Sequence, residues 1–122
     1  MAKKKSYSYE QKLIYALKKL PNPLIDKKHN LIIYFDDDRA RSNRSRYTHI
    51  AESRHGLRPS DIERIPRYIN ESKLKKDKKR SETYNLYIKR NSYNDEYIQI
   101  SLEITDINMK NAFVKTIFIT KI

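Results

Sequence analysis

Apolar residues recur along this chain with two different periods, and the change from one to the other divides it. Leu13, Ile14, Leu17 and Leu20 return at helical spacing behind Ser8, which predicts a capped first helix ended by Pro21 and Pro23. Leu31 to Phe35 (LIIYF) is a short apolar, β-branched run between His29-Asn30 and the acidic Asp36 to Asp38. It predicts a buried strand leading into a turn. Thr48 is placed to cap a short helix through His55, with Gly56 as its left-handed C-terminal residue. Ser60-Asp61-Ile62-Glu63 has the spacing of a capping box, and Ile62, Ile65 and Ile69 give the helix it opens an apolar stripe, which Pro66 is expected to interrupt or restart.

From Tyr84 the period falls to two. Tyr84 to Arg90, Tyr97 to Ile104 and Ala112 to Thr120 predict a three-stranded antiparallel meander. In its middle strand Ile98, Ile100, Leu102 and Ile104 point inward while Gln99, Ser101 and Glu103 point outward. The last strand carries apolar residues on both faces, so the pattern leaves open which of Lys115 and Thr116 faces the helices. The sum is an α+β fold, N-terminal helices packed on a small, about four-stranded antiparallel sheet. It is expected as one domain over residues 8–122, behind a basic disordered lead at 1–7.

Charge changes this picture from a scaffold to a binder. Lys and Arg number 27 against 15 Asp and Glu, a formal charge of +12, and the natural partners of such a field are RNA, DNA or an anionic membrane surface. The cations are also sorted. No lysine lies between His29 and Ser72, yet Arg39, Arg41, Arg44, Arg46, Arg54, Arg58, Arg64 and Arg67 all do. Arginine grips phosphate through a rigid fork of donors, where lysine acts as a mobile point charge. Lys73 to Arg80 (KLKKDKKR) is too charged to bury and reads as a phosphate-tracking loop or a solvated linker. The absence of cysteine excludes disulfides, thiolate metal sites and a cysteine nucleophile, and agrees with a cytoplasmic location. The apolar run Leu13 to Leu17 is too short for a signal peptide or a membrane span.

His49 and His55 bring proton chemistry into the arginine-rich stretch. Cutting RNA without a metal needs a base for the 2′-OH, an acid for the leaving 5′-oxygen, and a cation or hydroxyl beside the phosphate. The two histidines supply the first pair. Arg54, Lys89, Arg90, Lys115 or Thr116 supply the electrostatic part, and Arg46, Arg58 and Tyr68 extend the substrate-binding surface. No metal or other cofactor is required. The three aspartates 36–38 lack a second acidic or histidine cluster at a useful spacing and read as a turn opposing the arginines.

The pattern YTHIAESRHGL, then DIERIP, a basic strand hairpin, and a last strand with Lys115-Thr116 resembles the phage-encoded branch of the barnase, EndoU, colicin and RelE superfamily of metal-independent ribonucleases. The resemblance covers roughly residues 29 to 120. It implies that His49 and His55 match the two histidines of the helix motif and that Lys115-Thr116 matches the K-T pair of the final strand. The long basic run between histidines and strands departs from compact members and leaves the strand cation, Lys89 or Arg90, open. The expectation is therefore a small endoribonuclease acting on RNA such as tRNA, of toxin or phage-effector type, with a cognate inhibitor or immunity protein as a second partner class. The alternatives are an RNA- or DNA-binding module without catalysis and a protein that docks on an acidic partner.

Overall fold

The computed structural model describes residues 8–35, 47, 50, 51, 56–90, 95–104 and 111–121. Helix α1 spans Tyr9–Lys18, opened by a reciprocal cap in which the Ser8 hydroxyl accepts from the Gln11 amide and the Gln11 side chain accepts from the Ser8 amide. Its buried side, Leu13, Ala16 and Leu17, is the one the apolar spacing predicts. Strands β1 (Leu24–Asp26) and β2 (Leu31–Tyr34) form an antiparallel hairpin. The turn between them is fastened by buried Asp26, which accepts from the amides of Lys28 and His29 and holds the His29 ring at 2.6 Å. Tyr47, Ile50 and Ala51 are helical, and Gly56 follows at φ +76, the left-handed value for which glycine is suited.

Helix α2 spans Pro59–Tyr68 and runs into a 3₁₀ turn, Ile69–Glu71. Its start corrects the expected cap. Pro59 occupies the first helical position, Arg58 is the cap residue, and Asp61 rather than Glu63 reaches back to the Arg58 amide at 2.9 Å. Pro66 does not interrupt the helix either. A proline in a helix interior costs about 3 kcal/mol, whereas burying isoleucine yields roughly 1.5–3 kcal/mol each. Ile62, Ile65 and Ile69 are all buried, so packing outweighs the missing hydrogen bond.

Strands β3 (Lys73–Lys76), β4 (Thr83–Lys89), β5 (Glu96–Glu103) and β6 (Asn111–Lys121) complete one six-stranded sheet in the order β1-β2-β6-β5-β4-β3. The expected α+β arrangement, N-terminal helices on an about four-stranded antiparallel sheet, is thereby corrected. The sheet has six strands and is mixed, β2 running parallel to β6, and the described helices are two short ones, the second in mid-chain. The meander β4-β5-β6 is antiparallel as its alternation predicts. What the pattern missed are β1, three residues long, and β3, made almost wholly of lysine. As an edge strand β3 needs no buried face of its own, and its lysines discourage further strands from adding to it.

A single core lies between the helices and one face of the sheet. Leu13, Leu17, Ile62 and Ile65 from the helices meet Ile33, Leu86, Ile88, Ile98, Ile100, Leu102, Val114 and Ile117 from the strands. The described helices therefore pack on one face, and the other face is the one to read for function.

Candidate nucleic-acid interface

Strand alternation puts Thr83, Asn85, Tyr87 and Lys89 on the face of β4 turned away from the core. Directly opposite in β5 stand Glu103, Ser101, Gln99 and Tyr97, and opposite these in β6 stand Phe113, Thr116, Phe118 and Thr120. On the other flank Lys75 pairs with Asn85 and Lys73 with Tyr87, while β2 adds Tyr34 beside Phe113. Five aromatic rings and four lysines thus share one side of the sheet.

The side chains are organised among themselves. Tyr34 and Phe113 stack with centroids 5.7 Å apart, Tyr87 and Tyr97 meet edge to face at 6.5 Å, and the Lys75 ammonium lies 5.9 Å from the Tyr87 ring centre. A polar chain crosses three strands. Ser101 Oγ donates to Asn85 Oδ1 at 2.9 Å, and Asn85 Nδ2 donates to Asp77 Oδ2 at 3.2 Å. These bonds satisfy the buried Asn85 and Ser101, which would otherwise be costly to remove from water.

Thr116 reaches this face because of a bulge. Ser101 pairs with Thr116 but Leu102 pairs with Val114, so Lys115 is the extra residue. The insertion reverses the parity of everything after it. Ala112 and Val114 point to the core before it, and Ile117 lies there after it, leaving Thr116 on the open side. Lys115 is turned the same way, its Nζ donating to Thr83 Oγ1 at 3.1 Å. The Thr116 hydroxyl makes no hydrogen bond among the described residues and is half-buried.

A second group gathers at the end of β4. Arg90 donates through Nε and Nη2 to the two carboxylate oxygens of Asp61 at 2.9 and 3.0 Å, through Nη1 to Glu96 at 2.9 Å, and through Nη2 to the Gly56 carbonyl at 3.2 Å. Burial works against its charge, but the bonds and fields of Asp61 and Glu96 outweigh it and hold the guanidinium above its ordinary pKa. Its donors are thus engaged in joining α2, Gly56 and the β4-β5 end. Beside it is a cavity of about 420 Å³ lined by Arg58, Ser60, Asp61, Glu63, Arg64, Arg67 and Arg90.

The structure thus brings Lys115 and Thr116 together in mid-sheet and Arg58 and Arg90 together around the cavity, but it separates the two pairs. Thr116 faces Ser101, whereas the Arg90 amide bonds to the Glu96 carbonyl, five positions away along β5 or about 17 Å at a strand's rise. Lys89 is exposed on the open face between them. Tyr68 is half-buried against the core and carries the Arg64 guanidinium 4.4 Å over its ring, so its ring is already stacked. His49, His55, Arg46 and Arg54 lie outside the described residues, as do the aspartates 36–38. Among the described residues no cluster of three or more acidic or histidine side chains is placed to hold a metal, and no helix is long and apolar enough to cross a membrane.

The sequence reading passed over Tyr34, Lys73, Lys75, Tyr97, Phe113 and Phe118 as site residues. The alternation of β4 and β5 contained a usable signal, because both strands keep their polar and aromatic residues on one parity. No family model matches the chain, and no curated protein or solved structure is detectably similar to it.

Proposed function

We propose that this protein is a metal-independent endoribonuclease that lays a single-stranded segment of RNA across the open face of its sheet and cuts it through the substrate's own 2′-OH. The observation that carries the reading is the open face itself. Aromatic rings at intervals for bases, lysines for phosphates, and a threonine hydroxyl beside a lysine at a strand bulge form a platform for an unpaired strand. Unpaired RNA offers both base faces and the 2′-OH, which DNA lacks.

In the proposed chemistry one histidine of the pair His49 and His55 draws the proton from the 2′-OH. The 2′-oxygen attacks phosphorus, the bond to the 5′-oxygen breaks, and the other histidine protonates that oxygen. Lys115 and Thr116 stabilise the negative charge gathering on the phosphoryl oxygens. The products are a 2′,3′-cyclic phosphate and a free 5′-hydroxyl. The absence of cysteine and the net charge of +12 support an RNA substrate met in the cytoplasm, tRNA among the candidates.

The test is incubation of the purified protein with bulk tRNA in EDTA. The reading requires fragments ending in 2′,3′-cyclic phosphate that disappear with His49→Ala. It further requires a fall in kcat of about 10²-fold or more with Thr116→Val while RNA affinity stays within about twofold. RNA bound tightly but left intact by the unaltered protein replaces this reading with a binding module that uses the same face.

A further inference from the structure

The cavity beside Arg90 is a site in its own right. Ser60, Arg64 and Arg67 fall at i, i+4 and i+7 on α2 and so share one flank of the helix, with Arg58 at its cap position. Of the carboxylates lining the cavity, Asp61 is matched by two hydrogen bonds from Arg90, which leaves the guanidiniums of Arg58, Arg64 and Arg67 against Glu63 alone. Arg58 and Arg67 are exposed and have no acidic partner among the described residues. Arg64 is held in place, its Nη2 donating to the Lys89 carbonyl at 3.3 Å and its plane resting on Tyr68, yet its Nε is buried with no hydrogen-bond partner. A buried donor left unmatched is costly, and a ligand oxygen would relieve it.

We propose that this hollow binds a phosphate group of the nucleic-acid strand. Several converging guanidinium forks match a tetrahedral anion that carries more acceptors than a carboxylate. The volume of about 420 Å³ lies within the range of small-ligand clefts, about 300–1,000 Å³, and is wide enough for more than a bare ion. The Lys89 carbonyl that anchors Arg64 belongs to the same strand whose Lys89 side chain lies on the open face, so a strand leaving the sheet at this end meets the hollow next. The inference deepens the ribonuclease reading by giving the RNA a second anchoring point on the order of 17 Å from Thr116. The phosphate is either an internal diester or a terminal monoester.

The test uses the full chain and the double variant Arg58→Gln/Arg67→Gln, both positions being exposed. Melting is followed with inorganic phosphate against chloride at equal ionic strength, and fluorescence anisotropy with a ten-nucleotide RNA bearing or lacking a 5′-phosphate. The expected result is that phosphate raises the melting temperature of the parent more than that of the variant. The variant should bind RNA at least tenfold more weakly, with the slope of log K against log salt reduced by about 1.4 for two lost contacts. A loss confined to the phosphorylated oligonucleotide assigns the monoester, and an equal loss with both assigns the diester. Identical melting shifts and identical RNA affinity in the two proteins overturn the site. Cleavage of tRNA by the unaltered protein is scored separately, so an inert hollow and an inactive enzyme are told apart.

Discussion

Arg90 ties three segments together, and its surroundings decide what its loss would do. The Asp61 carboxylate that it neutralises is itself buried, so Arg90→Ala strands a negative charge in the protein. Breaking a buried pair from one side costs about 3–5 kcal/mol, and we expect a loss toward the lower figure because the Arg90 side chain is 13% exposed. Arg90→Lys should recover only part of it, since an ammonium cannot reproduce the two-pronged contact. Urea unfolding measures both. Asp77 acts through its local bonds in a different way. Hydrogen bonds from the amides of Lys79 and Arg80, then from the Asn85 side chain, hold its carboxyl below the ordinary 3.8. A depressed carboxylate stabilises the fold above its unfolded value, and that share is lost as the pH falls through the lower folded value. Melting curves between about pH 6 and pH 2 should therefore decline less steeply below about pH 4 for Asp77→Asn, from a lower starting point.

At the scale of elements, the helices follow local chemistry and the strands follow their neighbours. The Ser8 cap, the left-handed Gly56 and the stripe Ile62, Ile65 and Ile69 are all legible in the sequence because each depends on residues within one or two turns. Pro66 shows the limit of that logic. It was expected to break the helix, and the buried isoleucines on either side keep the helix intact. Pro66 is exposed, and replacing it with alanine restores the donor that Ile62 lacks; Pro66→Ala should raise stability by about 1–2 kcal/mol in urea titrations. The last strand poses the converse case. Its sequence AFVKTIFIT reads ambiguously because a one-residue slip exchanges the two faces of a strand, and the slip is made by the bulge at Lys115. Nothing within the strand announces that bulge, since it is defined by where β5 pairs.

For the whole molecule, an uneven distribution of cations matters more than the total of +12. Lys73, Lys75, Lys89 and Lys115 lie on the open face and the arginines of α2 on the flank beside it. Four lysine contacts to a single strand predict a slope of log K against log salt of about −3 from the open face alone. Lys73→Gln/Lys75→Gln should make it shallower by about 1.4, as read by anisotropy across 50–200 mM salt. An unchanged slope would place the RNA elsewhere on the surface.

The sequence by itself determined the parts whose causes are local: the first helix and its cap, the apolar stripe of the second, the alternating meander, the absence of thiol chemistry and the polyanion-seeking charge. Tertiary structure alone decided the parallel pairing of residues 32–34 with 111–113, the enlistment of a lysine run as an edge strand, and the side of the sheet on which Thr116 stands. It also decided that Arg58 and Arg90, distant in the chain, border one cavity while Lys115 and Thr116 lie apart from it. Helix caps and hydrophobic periods are written by residues a few positions apart, whereas strand order, register and bulges are settled by partners that only the folded chain brings alongside.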